Sequence, residues 1–157
     1  MMHRIVLPSS VSRSMPSSRA PVVLKDVLRY LLAFAMMFVG VSHFTNPEPF
    51  VRIVPASLPA PLVLVYASGF FELLGGAGLL AAPVRRAAAW GLIALYVAVF
   101  PANVNMALNH ISLTPDHPIP TAALWLRLPL QAVLIAWAWW YTRPEAPAGG
   151  SVSSAKA

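Results

Sequence analysis

The segment that decides the fold is residues 86–108, RAAAWGLIALYVAVFPANVNMAL, where an apolar run ends in one proline and two asparagines. Residues 87–100 contain no charged side chain. A bilayer core about 30 Å thick needs roughly 20 mostly apolar residues for one helical crossing. The segment therefore predicts a transmembrane helix whose last turns carry polar side chains.

Three more apolar runs of similar length occupy residues 27–44, 62–82 and 122–141. The whole chain is 58% hydrophobic and 10% charged, against roughly a quarter charged in ordinary soluble domains. A backbone inside hydrocarbon must satisfy its own hydrogen bonds, so helices are the expected form. We predict an all-α fold, an integral membrane four-helix bundle with spans at about 27–44, 62–82, 87–108 and 122–141.

The segments outside the predicted bundle have a different composition. Residues 1–24 are basic and rich in Ser and Pro, and residues 144–157 are rich in Pro, Gly, Ser and Ala. Such segments cannot bury enough apolar surface to fold, so we predict disordered cytoplasmic tails on either side of a domain at 25–143. The acid-poor start of the chain also fits a transit peptide, an alternative that the sequence leaves open.

The basic residues predict the orientation of the bundle, because positively charged loops stay on the cytoplasmic side. They concentrate before the first span, in the second loop and after the fourth span, at Arg4, Arg13, Arg19, Lys25, Arg29, Arg85, Arg86, Arg143 and Lys156. Both termini are therefore predicted to be cytoplasmic. Orientation and anionic lipid account for the net charge of +6, and in the absence of a nucleic-acid motif no nucleic acid is expected as a partner.

Two ionisable residues lie at membrane depth, where insertion costs about 2.5 to 3.5 kcal/mol per charge. Glu72 is about ten residues into the second span, and Arg127 about five residues into the fourth span from the same side. We expect them to meet as an ion pair, with His43 close enough to join them. Gly69, Glu72 and Gly76 are spaced i, i+3, i+7, which puts the carboxylate on a small-residue packing face.

The third span ends in two polar stripes. Asn103 and His110 lie about 20° apart around the helix, and Asn105 and Asn109 about 40° apart. We expect one stripe to line the bundle interior and the other to meet a neighbour or the outer loops. The alternative is that Asn109 and His110 only cap the helix.

Gln131 is four residues after Arg127 and shares its helix face. The predicted ligand-binding residues are His43, Glu72, Asn103, Arg127 and Gln131. The first loop, residues 45–61, holds five prolines with apolar residues between them. It cannot form a long helix, and we predict either a lid over the polar site or a stiff connection.

The chain has no cysteine, which excludes thiol, disulfide and iron–sulfur chemistry within it. A haem held by His43 and His110 would need both imidazoles on one cavity. A zinc site from His43, His110 or His117 with Glu72 lacks the usual local ligand spacing. No metal site is predicted.

The segments GVSHFTNPEPFVRIVPASLP, SGFFELLGGAGLL, RRAAAWGLIALYVAVFPANVNMAL and WLRLPLQAVLIAWAWWYTR follow one another between residues 40 and 143. Their order resembles the DoxX-like family of small four-span bacterial membrane proteins. The resemblance implies a multi-pass protein of the bacterial inner membrane. Relatives in that family are associated with quinone-linked thiosulfate oxidation and membrane redox complexes, and more distant bundles bind lipophilic ligands through a buried acid.

Three functions are compatible with these residues and with the resemblance. The first is an accessory or quinone-interacting subunit of a membrane oxidoreductase system, in which Arg127 and His43 donate to a quinone and Glu72 relays a proton. Its partners would be the lipid bilayer, subunits of a redox complex or a second copy of the chain. The second is a binding protein for a small lipophilic ligand. The third is a structural membrane subunit without chemistry of its own.

Overall fold

The computed structural model describes residues 20–113 and 119–144, and this part of the chain is helical with no β-strand. It contains five helices: α1 (Ala20–Thr45), α2 (Glu48–Ile53), α3 (Pro61–Leu80), α4 (Arg85–Leu108) and α5 (Thr121–Trp140). The predicted all-α class is confirmed. The proline-rich first loop contains only the six-residue helix α2, as its five prolines require.

Helices α3, α4 and α5 coincide with the second, third and fourth predicted spans. Each is long and apolar enough to cross a membrane. Helix α1 is 26 residues long and covers the first predicted span, whose crossing stays a prediction. It begins at Ala20, so residues 20–24, which we predicted as tail, are helical because the apolar run 22–24 continues the helix. The remaining predicted tails, 1–19 and 145–157, lie outside the described residues.

The outward surface of the long helices is apolar. Large exposed hydrophobic side chains occur on all four, including Phe38 on α1, Phe70 on α3, Val97 on α4 and Leu126 on α5. Soluble monomers rarely expose contiguous apolar surface of this kind. The surface therefore supports association with a lipid bilayer.

Glycines allow α3 to pack closely against α1. A Cβ added to Gly69 would lie 2.6 Å from the Cβ of His43, and one added to Gly76 would lie 2.7 Å from the carbonyl oxygen of Ala33. These distances are shorter than van der Waals contact, so any larger residue would push the helices apart. The small-residue face predicted from Gly69, Glu72 and Gly76 is confirmed, and it packs on α1.

Helix α3 also packs against α4, and α4 against α5. One buried cluster lies near the end of α5, and its members include Leu32, Leu79, Leu92 and Tyr141. A second cluster, Ile53, Met106, Ala107 and Leu124, lies at the other end of the fold. The hydroxyl of Tyr141 donates to the carbonyl oxygen of Lys25 at 3.0 Å. We call this the basic end of the fold, and the opposite end, which carries α2, the cavity end.

Candidate functional site

A cavity of about 500 Å³ occupies the cavity end. All five helices contribute to its walls, which are mostly apolar. The five residues predicted as ligand-binding from the sequence all line it: His43, Glu72, Asn103, Arg127 and Gln131. The structure thus brings together side chains from α1, α3, α4 and α5, while their role in binding stays a prediction.

Glu72 and His43 form the most buried polar pair of the cavity. The Oε2 atom of Glu72 lies 3.2 Å from Nδ1 of His43, and their side chains are 12% and 8% exposed. The same Nδ1 lies 2.9 Å from the carbonyl oxygen of Val39. When Nδ1 carries the proton, the Val39 carbonyl lies in hydrogen-bonding geometry with it, whereas Oε2 of Glu72 does not.

The consequence for Glu72 is that its carboxylate is close to a histidine without receiving a hydrogen bond from it. Its Oε2 atom is buried and has no hydrogen-bond partner among the described residues. A buried acceptor left without a donor costs about 1–3 kcal/mol, more if it is charged.

The predicted ion pair between Glu72 and Arg127 is wrong. Arg127 lines the same cavity, but the partner of Glu72 within ion-pair distance is His43. The reason lies in the helix packing, since glycines draw α1 against α3, whereas α5 packs on α4. Among the described residues Arg127 has no ion pair, and its guanidinium carries only hydrogen-bond donors.

Asn103 and Gln131 join α4 to α5 beside the cavity. The Nδ2 atom of Asn103 donates to Oε1 of Gln131 at 2.9 Å. The Nε2 atom of Gln131 donates to the carbonyl oxygen of Tyr96, and Gln131 is buried. One hydrogen bond thus joins the two amides across α4 and α5. The carboxylate, imidazole and guanidinium groups of the cavity wall are those of Glu72, His43 and Arg127.

Helix α2 and the residues after it cover the cavity. Phe50, Ile53, Val54 and Leu58 line it, and the Phe50 ring stacks on the His43 ring with centroids 3.9 Å apart. Residues of the first loop therefore line the cavity, and we call α2 and residues 54–58 the lid, whose closing role stays a prediction. The stacking of Phe50 on His43 has no signal in the sequence, because ring contacts across a loop have no fixed spacing.

The second polar stripe of α4 holds the lid. Asn105 donates through Nδ2 to the carbonyl oxygen of Ile53 at 2.9 Å, so the predicted contact between this stripe and a loop is confirmed for the first loop, whose side of the membrane stays a prediction. Asn109 donates to Oδ1 of Asn105 at 2.7 Å. One stripe lines the cavity at Asn103, and the other reaches the first loop at Asn105.

The end of α4 is closed by a capping turn. Asn109 is the C-cap residue, His110 has a left-handed φ of 52°, and the N–H of Ile111 donates to the carbonyl oxygen of Met106 at 3.0 Å. This is the hydrogen-bond pattern of a Schellman motif. The capping alternative is confirmed for Asn109 and His110.

The cap also bears on the metal hypotheses. His110 is exposed and outside the cavity walls, so a haem held between it and His43 does not fit. His117 lies outside the described residues. Within residues 20–113 and 119–144 no group of three or more His, Asp or Glu side chains is close enough to hold a metal ion.

These features define an all-helical protein with membrane-compatible helices around a lidded cavity. The chain belongs to the family described as Domain of unknown function (DUF8561), whose profile matches residues 32–142. The match includes the cavity residues of all five helices. No curated protein and no solved structure matches the chain.

Proposed function

We propose that this protein is an integral membrane four-helix bundle that binds a small lipophilic ligand, with α1 as the fourth span and both termini in the cytoplasm. The ligand places its apolar body against the cavity walls and its head group at Glu72, His43 and Arg127. The observation that carries the proposal is the buried Oε2 of Glu72, at the wall of a cavity of about 500 Å³. This atom accepts no hydrogen bond within the described part of the chain, although Nδ1 of His43 lies 3.2 Å away.

The polar groups specify the head group. The carboxylate of Glu72 needs a donor, and the guanidinium of Arg127 needs an acceptor. A hydroxyl or phenol supplies both functions from one oxygen. Ligand pockets of about 300–1,000 Å³ with mostly apolar walls and few polar groups are typical for drug-sized ligands, and this cavity has that size and lining.

A quinone-interacting role is the second candidate, and it agrees with the resemblance to the DoxX-like family. A quinol offers an O–H group to Glu72, and its oxidised form offers a carbonyl oxygen to Arg127. Oxidation of a quinol releases two protons and two electrons. Glu72 would take up one of these protons and the Nε2 atom of His43 the other, while both electrons would pass to a redox-active partner subunit.

The proposal is tested by mass spectrometry of small molecules extracted from the protein purified in native lipid discs. We expect a hydroxylated lipophile that is enriched over bulk lipid and lost in Glu72→Gln and Arg127→Met. The matched controls are Glu48→Gln and Arg52→Met. Both residues are exposed and lie outside the cavity walls, and they form an ion pair with each other, with 3.7 Å between Nη2 and Oε2. Bulk lipid alone in every sample would contradict the proposal.

The same samples separate the two candidates. A quinone among the extracted molecules, with its absorbance in the purified protein, supports the redox role. A ligand without redox chemistry supports binding alone.

A further inference from the structure

Helices α3 and α4 pack closely in only one half of their length. Near the basic end, Cβ atoms added to Gly75 and Gly78 would lie 2.5 Å from Leu92 and 2.6 Å from Ala88. These pairs define the face that each helix turns toward the other. Small residues permit this close approach, as expected of helices in lipid.

The same two faces separate toward the cavity end. Six residues continue them at helical spacing, and all six line the cavity. On α3 they are Phe71, Ala67 and Leu64, and on α4 they are Leu95, Val99 and Ala102. The cavity therefore lies between helices that touch at their other ends.

Several of the residues that line the cavity on α3 and α4 are exposed. Leu64 and Phe71 line the cavity and are 40% and 53% exposed. Ala67 on α3 and Ala98 on α4 also line it and are exposed. The opening thus lies on the side of the protein, between two helices that are each long and apolar enough to cross a membrane.

A proline lies in this stretch of α4. Pro101 lies inside α4 at the level of the opening, where its missing N–H leaves the carbonyl oxygen of Val97 without its helical donor. Ala67 and Ala98 are the smallest side chains at the mouth. Larger residues at either position would close it.

We propose that this opening is a lateral passage to the bilayer, and that the ligand is a lipid whose long apolar chain leaves the cavity between Ala67 and Ala98. The inference rests on the proposed binding function and deepens it. A cavity of about 500 Å³ holds a drug-sized head and leaves no room for a long chain. The ligand class is therefore a hydroxylated head group on a polyisoprenoid or long acyl chain, with the chain among the membrane lipids.

The lid favours the lateral route over an aqueous one. Phe50 covers the polar end by stacking on His43, and Asn105 ties the end of α2 to α4. By contrast, the residues at the lateral mouth are apolar and match the hydrocarbon outside.

Two photoreactive alkylphenols test the passage in lipid discs. The ring probe carries a diazirine beside the ring. The chain-end probe carries it at the end of an alkyl chain that is longer than the cavity. We expect the ring probe to label cavity residues near Glu72 and the chain-end probe to label the outer faces of α3 and α4. Chain-end labelling around Leu130 on α5, which also lines the cavity and is exposed, would overturn the passage. No specific labelling of the cavity by the ring probe would instead contradict the binding function itself.

Variants that fill the mouth give a second readout. Ala67→Trp and Ala98→Trp should reduce labelling by the chain-end probe by about tenfold. In the same variants a short 4-ethylphenol should still bind the cavity and protect it from labelling by the ring probe. The controls are Ala77→Trp and Ala94→Trp, which place the same side chain at exposed positions of α3 and α4 outside the cavity. The passage would be excluded if the mouth variants lost binding of the short and the long phenol equally. It would also be excluded if the mouth and control variants lost the same amount of labelling.

Discussion

Glu72 on α3 and His43 on α1 face each other at 3.2 Å between Oε2 and Nδ1, yet the acceptor in hydrogen-bonding geometry with Nδ1 is the carbonyl oxygen of Val39. The carboxylate thus has a polar neighbour without a hydrogen bond from it. A pair whose only role was to stabilise the bundle would be expected to use the hydrogen bond it is close enough to form. The geometry instead leaves an acceptor available at the cavity wall.

Replacement of Glu72 by Gln should abolish ligand binding without unfolding the protein. The amide keeps the shape of the side chain and removes a buried charge, so the thermal midpoint should be unchanged or higher. Affinity for a phenol probe should fall by about tenfold or more, because a charge-assisted hydrogen bond is lost. Binding isotherms and thermal unfolding in lipid discs measure the two effects separately.

Glu48→Gln is the control for that experiment, since its carboxylate is 80% exposed. It should leave both affinity and thermal midpoint unchanged. If the ligand binds Glu72→Gln with the original affinity, the carboxylate of Glu72 is not part of the binding site.

The packing of α1 on α3 predicts opposite effects for two glycines. Gly76→Ala should destabilise the protein by about 1–3 kcal/mol through overpacking, because the new Cβ would lie 2.7 Å from the carbonyl oxygen of Ala33. Gly91→Ala should be neutral or slightly stabilising, because among the described residues no atom beyond its chain neighbours and the nearby backbone of α4 lies within 4 Å of the added Cβ, and alanine is the better helix former. Denaturant unfolding in detergent compares the two variants, and equal effects would show that the close contact does not limit stability.

The helices and the set of site residues were predictable from the sequence for identifiable reasons. Apolar length predicted α3, α4 and α5, and the spacing of Gly69, Glu72 and Gly76 placed the carboxylate on a packed face. The cost of an ionisable group in hydrocarbon pointed to Glu72 and Arg127. Each of these features belongs to a single helix, so none of them required knowledge of the tertiary arrangement.

The partner of Glu72 could not be predicted in the same way. Similar depth made Arg127 and His43 both available, and the choice depends on which helix approaches α3 most closely. That is decided by Gly40 and Gly69, where an added Cβ would come within about 3 Å of the opposite backbone. The stacking of Phe50 on His43 and the separation of α3 from α4 likewise depend on relative helix positions, which no sequence period encodes.

Loss of the amide at Asn105 should loosen the lid. Asn105→Ala removes the hydrogen bond to the carbonyl oxygen of Ile53, which is worth about 1 kcal/mol. Backbone amides of residues 48–58 should then exchange with deuterium about fivefold faster, while those of α3 stay unchanged. The control is Asn46→Ala, which changes an exposed residue at the start of the same loop. If the amides of residues 48–58 exchange at the same rate in Asn105→Ala and in this control, the Asn105 contact does not hold α2 in place.

Asn103 and Gln131 should behave as a coupled pair. Gln131→Leu leaves the Nδ2 of Asn103 and the carbonyl oxygen of Tyr96 without these partners, and Asn103→Leu removes the donor to Gln131. Each single change should cost about 1–3 kcal/mol, because a partly buried polar group loses its hydrogen bond. The double variant should cost less than the sum of the two, since the Asn103 amide no longer needs the oxygen of Gln131.

The double-mutant cycle is measured by unfolding in detergent, with phenol binding recorded in parallel. A positive coupling energy with binding retained assigns these amides to the wall between α4 and α5. Additive costs together with lost binding would instead place the amides in contact with the ligand, because their effect would then pass through the head group and not through each other.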